Sequence, residues 1–146
     1  MIVDDMPQVS RARLVQITEH ALLIEAARLL TSGTDIVVVH DSDNVVRGVV
    51  TKTDVVRQMS LCQGASCRCP VSAVMSRDPL LCRGSDLLQD VSSQMKERHL
   101  KNIVVVDADD RASGLLTARA ILRVLLGNAE EAEAQLVNYV GGVGYQ

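Results

Sequence analysis

The chain has 146 residues, 47% of them hydrophobic, and a formal net charge of −3. That length supports one compact unit, whereas two halves of about 60 residues would each be marginal alone and must pack on one another. With no Phe or Trp, only Tyr139 and Tyr145, and a negative balance, base stacking and phosphate-backbone attraction are poorly supplied, which argues against a nucleic-acid partner. The apolar runs are short and broken by charges, and Met1-Ile2-Val3-Asp4-Asp5 has no basic stretch leading into an apolar one. The expectation is a soluble cytoplasmic protein with an aliphatic core and no membrane partner.

In chain order, Leu14-Val15-Gln16-Ile17 alternates as a short strand, and Thr18 or Glu19 can open a helix. Leu22, Leu23, Ala26, Ala27, Leu29 and Leu30 recur at helical spacing up to Gly33. Ile36 to His40 is a β-branched strand, Asp41-Ser42-Asp43-Asn44 a turn, and Val45 to Val50 the returning strand of a hairpin. Thr51 then opens a helix to about Met59. The same order follows in the second half. Pro79 to Cys82 is an entry strand, Leu87, Leu88, Val91 and Met95 make a helix face ending near His99, and Ile103 to Val106 is a strand. Asp107 to Asp110 is an acidic turn, Ser113 to Leu116 a strand, and Ala118 to Leu126 a helix. Residues 61–76 form a cysteine-containing linker between repeats at 8–60 and 77–127, and 128–146 is a tail, helical over Ala129 to Val137 and then glycine-rich.

One phrase occurs twice, as Gly48-Val49-Val50-Thr51-Lys52-Thr53-Asp54 and as Gly114-Leu115-Leu116-Thr117-Ala118-Arg119-Ala120. A long period present only twice points to a duplicated unit pairing about a pseudo-two-fold axis, not to a solenoid. A β-α-β-β-α unit that closes on Gly, two apolar residues, Thr, two variable residues and Asp resembles the CBS domain. Two tandem copies resemble a CBS pair, or Bateman module, over roughly residues 8 to 127. The fold class implied is α/β (α+β). The resemblance also implies a cleft between repeats that takes an adenosine-containing ligand, AMP, ADP, ATP or S-adenosylmethionine, as a regulatory ligand with no required cofactor.

Carried onto this sequence, the resemblance sets Asp54 on the ribose and Thr51 near the phosphates. The chemistry agrees, since a carboxylate accepts two hydrogen bonds from vicinal hydroxyls and a hydroxyl beside a helix N-terminus suits a phosphate. The plainer reading is that Thr51 caps the helix and Asp54 complements its dipole. The residues before each central strand, Thr34 with Asp35 and Lys101 with Asn102, would also lie beside ligand. If the second repeat completes the first cleft, Lys101 brings positive charge and Asn102 an amide. Both repeats carry valine, Val37 and Val104, where many family members have proline, and Val37 could pack on a purine face. The second cleft keeps Thr117 and Arg119 but has Ala120 in place of the carboxylate and would receive Asp35, so it is expected to be degenerate.

Cys62, Cys67 and Cys69 lie close together without zinc-ribbon spacing, so no metal site is assigned. They leave a metal or redox sensor as the alternative function, and a ligand-free dimerisation adaptor as a third. Cys82 fits a buried small hydrophobe. His20, His40 and His99 share no spacing, no catalytic triad or phosphate loop can be read, and the chain is not expected to be an enzyme. Glu130, Glu131 and Glu133 read as a solvated face, and the Tyr139 to Gln146 end as a docking segment or a frayed terminus. The leading expectation is a homodimeric regulatory module acting on a protein target that the sequence does not name.

Overall fold

The computed structural model describes residues 1–7, 11–31, 33–62 and 68–137, with backbone alone for Cys62 and 128–137. The elements are β1 (Gln16–Thr18), α1 (Leu23–Leu29), β2 (Ile36–His40), β3 (Val46–Thr51), α2 (Lys52–Cys62), β4 (Leu81–Arg83), α3 (Leu88–Glu97), β5 (Asn102–Val106), β6 (Ala112–Thr117) and α4 (Ala118–Val137). They build two three-stranded sheets, ordered β1-β2-β3 and β4-β5-β6. In each sheet the first pair is parallel and the second antiparallel. The register repeats as well: Ile36 opposes Thr51 and Asn102 opposes Thr117, and each hairpin ladder shifts at its far end. The two β-α-β-β-α repeats read from the sequence are therefore present.

The central strands are apolar at nearly every position because both faces are covered. Ile36 and Val38 pack with Val104, Val106 and Leu115 between the two sheets. Val39 faces the other way onto Leu23, Ala26 and Val55, and Ile103 and Val105 face Leu88, Met95 and Ile121. Strand alternation thus divides each run between a shared core and a helix-side core. This is why neither half is self-sufficient.

Each helix-side core is also completed by a segment from outside its own repeat. Val71, fully buried in the first core, donates its N–H to Ala21 O at 2.8 Å, and Leu23 N–H donates to Cys69 O at 2.8 Å. Val3 and Met6 do the same in the second core, with Val3 N–H on Asp86 O at 2.9 Å and Leu88 N–H on Met1 O at 3.0 Å. The chain start thus serves the second repeat as the linker serves the first.

These cross-links account for the element boundaries that differ from the sequence reading. The first strand is Gln16–Thr18, not Leu14 to Ile17, and the helix does not begin at Thr18 or Glu19. Glu19 N–H is taken by His40 O and Ala21 O by Val71 N–H, and Ala21 N–H closes a turn onto Thr18 O, which keeps this stretch out of the helix until Leu22 caps α1. The second entry strand likewise moves to Leu81–Arg83. Gly127 does not break the last helix, so the two predicted helical stretches are one, α4. Tyr139 to Gln146 lie outside the described residues.

The two phrase glycines have different neighbours. A Cβ at Gly48 would stand 2.5 Å from the Ser76 carbonyl oxygen and 2.7 Å from Met75 Sδ, whereas one at Gly114 meets nothing nearer than Arg11 Nη1 at 3.6 Å. Gly48→Ala is expected to destabilise by about 1–3 kcal/mol, because Ser76 is bonded to Val49 in both directions and cannot retreat freely. Gly114→Ala should change stability by less than about 0.5 kcal/mol. Urea denaturation of both variants checks the contrast, and equal losses would contradict it.

Candidate binding cleft

The turn from β3 into α2 sets the first functional pair. Thr51 is the last strand residue and caps the helix, and Asp54 sits in the first turn of α2. Asp54 Oδ2 accepts from the Thr51 N–H at 2.9 Å and from its hydroxyl at 3.1 Å, while Thr51 Oγ1 lies 3.3 Å from the Asp54 N–H. This is a reciprocal cap, so the plainer structural reading of these residues is realised. It leaves Oδ1 outside the cap, facing Arg57 Nη1 at 3.6 Å. In the second copy Thr117 Oγ1 accepts from Ala120 N–H at 3.0 Å, but no carboxylate returns the bond. Ala120 packs partly against the second core and Arg119 is exposed.

The opposite wall comes from the end of α3. Leu100 N–H reaches back to Met95 O and His99 N–H to Lys96 O, with His99 left-handed at φ 55°. This helix-ending turn usually takes glycine, and the first repeat has Gly33, at φ 92°, in the corresponding loop. The turn delivers His99, Leu100, Lys101 and Asn102 to one cleft with Thr51 and Asp54. The cleft has a volume of about 700 Å³, within the range of small-molecule sites.

Four of the expected residues, Thr51, Asp54, Lys101 and Asn102, meet there. Thr34 and Val37 do not line this cleft. Thr34 is buried, and Val37 is fully buried beside Val50, on the face away from Ile36. A one-residue step along a strand reverses the face, so Ile36, together with Val49, Val104, Pro79 and Leu80, supplies the apolar wall instead. Asp35, expected in the second cleft, lies in the first, with its carboxylate 3.5 Å from Lys52 Nζ. The sequence reading also missed Arg57, Arg98, Asp78 and His99. The (i, i+3) step from Asp54 could have indicated Arg57, but nothing local signals Arg98, which is held by the Asp78 carbonyl at 2.8 Å.

Among the described residues no group of three or more His, Cys, Asp or Glu is placed to hold a metal, and no helix is long and apolar enough to cross a membrane. Cys67 and the Cys62 side chain lie outside the described residues. Cys69 is half-buried, with Gln58 Nε2 3.9 Å from its sulfur. Burial pushes the Cys82 thiol up to about 12, with Asp86 adding to the effect and Arg11 opposing it. Cys82 therefore stays protonated and inert at neutral pH. In the folded chain iodoacetamide should modify Cys69 well before Cys82, with Cys82 reacting only after urea unfolding. Peptide mass mapping reads this directly, and early Cys82 labelling would refute it.

The CBS-domain family model matches residues 3–61 and again 71–127, and the chain belongs to that family. Among solved structures, the CBS-domain containing protein ATU1752 from Agrobacterium tumefaciens is 23% identical, with 84% of this chain and 91% of that one covered at a TM-score of 0.71. The CBS domain pair of MJ0100, in complex with 5′-methylthioadenosine and S-adenosyl-L-methionine, is 18% identical, covering 88% and 98% at 0.71. The cytosolic domain of the Mg2+ channel MgtE, in complex with ATP, is 21% identical, covering 76% and 44% at 0.65. At these identities the likeness establishes the fold. No curated protein sequence matches the chain.

Proposed function

We propose that the chain is a non-catalytic regulatory module that binds an adenosine-containing ligand of the AMP, ADP, ATP or S-adenosylmethionine class in the first cleft. The observation that carries this reading is the meeting of Thr51 and Asp54 from one repeat with Lys101 and Asn102 from the other. Asp54 Oδ1 takes the ribose hydroxyls, Lys101 the phosphates and Asn102 the base or sugar by amide hydrogen bonds. Ile36, Val49 and Val104 offer an apolar surface to the purine. The adenosine ligands of MJ0100 and the ATP of MgtE support the class.

A ligand that touches both repeats favours one relative orientation of them, and that differential contact is the signal passed to a protein target. Pairing of two copies through exposed apolar residues of α2 and α4, Val56, Met59, Leu122 and Leu126, belongs to the same proposal, as does a cytoplasmic location. Because Ala120 removes the second ribose carboxylate, calorimetric titration with the four ligands is expected to give one site per chain. Two equal sites would overturn the degenerate assignment, and no binding by any of them would overturn the function.

A further inference from the structure

We infer that the cleft selects nucleotides carrying two or more phosphates over adenosine and over S-adenosylmethionine, with Arg57 and Arg98 as phosphate-side cations. This rests on the adenosine reading above and narrows it. The cleft is lined by four cations, Lys52, Arg57, Arg98 and Lys101, against three carboxylates, Asp35, Asp54 and Asp78. Three pairs form, Lys52–Asp35 at 3.5 Å, Arg57–Asp54 at 3.6 Å and Arg98–Asp78 at 3.9 Å. All are longer than a charge-assisted hydrogen bond of about 2.7–2.9 Å, so each cation can turn to a stronger acceptor at little cost. Lys101 has no acidic partner among the described residues.

The geometry gives the two arginines different duties. Asp54 Oδ2 is committed to Thr51, so ribose hydroxyls approach Oδ1, the atom that already faces Arg57. The phosphates leave the ribose from its 5′ carbon, across the ring from those hydroxyls, so Arg57 serves them by turning away from Oδ1 along its long side chain. Arg98 is tethered by the Asp78 backbone carbonyl, and this bond survives even if the fully exposed Asp78 carboxylate swings away. Its guanidinium stays on the wall that also carries Lys101. A sulfonium ligand brings positive charge into a cleft with positive charge in surplus, and adenosine brings none to use it. A diphosphate has enough oxygens to engage more than one of these cations.

The test is calorimetric titration of the full chain with adenosine, AMP, ADP, ATP and S-adenosylmethionine at low and high salt. ADP and ATP should bind roughly tenfold or more tightly than adenosine and S-adenosylmethionine, consistent with one or two unit charges at short range in a part-screened cleft. The advantage should shrink as salt rises. Arg57→Gln and Arg98→Gln should each lower the ADP-to-adenosine affinity ratio severalfold, with thermal melting confirming that both fold. The salt series on the unmodified chain gives an independent measure if either variant fails to fold. Should S-adenosylmethionine match ADP, or the ratio resist both salt and substitution, while Asp54→Ala still weakens binding, this inference fails and the adenosine reading stands. If no adenosine compound binds, both fall together.

Discussion

Asp54→Ala is expected to weaken binding of the adenosine ligand about 10- to 100-fold and to lower folding stability by only about 1 kcal/mol. The two effects come from different atoms of one carboxylate. Oδ2 closes the reciprocal cap with Thr51, and losing half of such a cap costs on the order of 1 kcal/mol. Oδ1, which faces Arg57, is the acceptor proposed for the ribose, and a hydrogen bond to a charged group contributes about 1.5–3 kcal/mol, hence the affinity range. Asp54→Asn separates charge from shape: it keeps an acceptor oxygen but loses the anion, and should fall between wild type and alanine. Titration calorimetry with ADP measures the affinity and urea unfolding the stability. Unchanged affinity in a folded Asp54→Ala protein would remove the assigned site.

Val71→Asp is expected to abolish the cooperative fold, with Val3→Asp nearly as severe. Both valines are fully buried, in the first and second helix-side cores respectively. The side chains packed around Val71 are apolar, and burying an unpaired charge among them costs several kcal/mol. That is a large share of the roughly 5–15 kcal/mol available to a domain. The cluster around Val3 is apolar too, but Arg11 lies near its Cys82, which is why Val3→Asp is set below Val71→Asp. The milder Val71→Ala and Val3→Ala each remove two methyl groups and should cost about 2 kcal/mol. The two alanines lie in separate cores, so their effects should add in the double variant. With no Trp in the chain, far-UV circular dichroism in urea is the suitable readout. Losses below about 0.5 kcal/mol for the alanine variants would show that the two segments are not integral to the cores.

The asymmetry between the copies has a local basis and a longer-range consequence. Thr51 and Thr117 cap their helices alike, so Ala120 keeps the turn while losing the acceptor. Gly48 is pressed by Met75 and Ser76, whereas a Cβ at Gly114 would meet Arg11 and Val105 at no less than ordinary contact distance. The segment from Met75 that presses on Gly48 continues through Ser76, Asp78 and Leu80, all of which line the first cleft. The first repeat is thus constrained by the linker at the place where its cleft is built.

The sequence by itself determined the duplication, the order of elements, the strands Ile36–His40 and Asn102–Val106 to within a residue, and the Thr51–Asp54 pair. These are local matters: β-branched runs, helical spacing and a strand-to-helix turn declare themselves within about ten residues. Tertiary structure alone decided where β1 and α1 begin, because the backbone groups of Glu19 to Leu23 bond to His40, Cys69 and Val71, far away in the chain. It also decided which residue of the first central strand reaches the cleft, turning Val37 inward and Ile36 toward the cleft. Arg98 and His99 entered the site for the same reason, since a charge at an exposed helix end has no periodicity to mark it and only the packing of one repeat against the other brings it into the cleft that holds Asp54. Arg57 needs no such packing, because it stands on the helix of Asp54 at the (i, i+3) step.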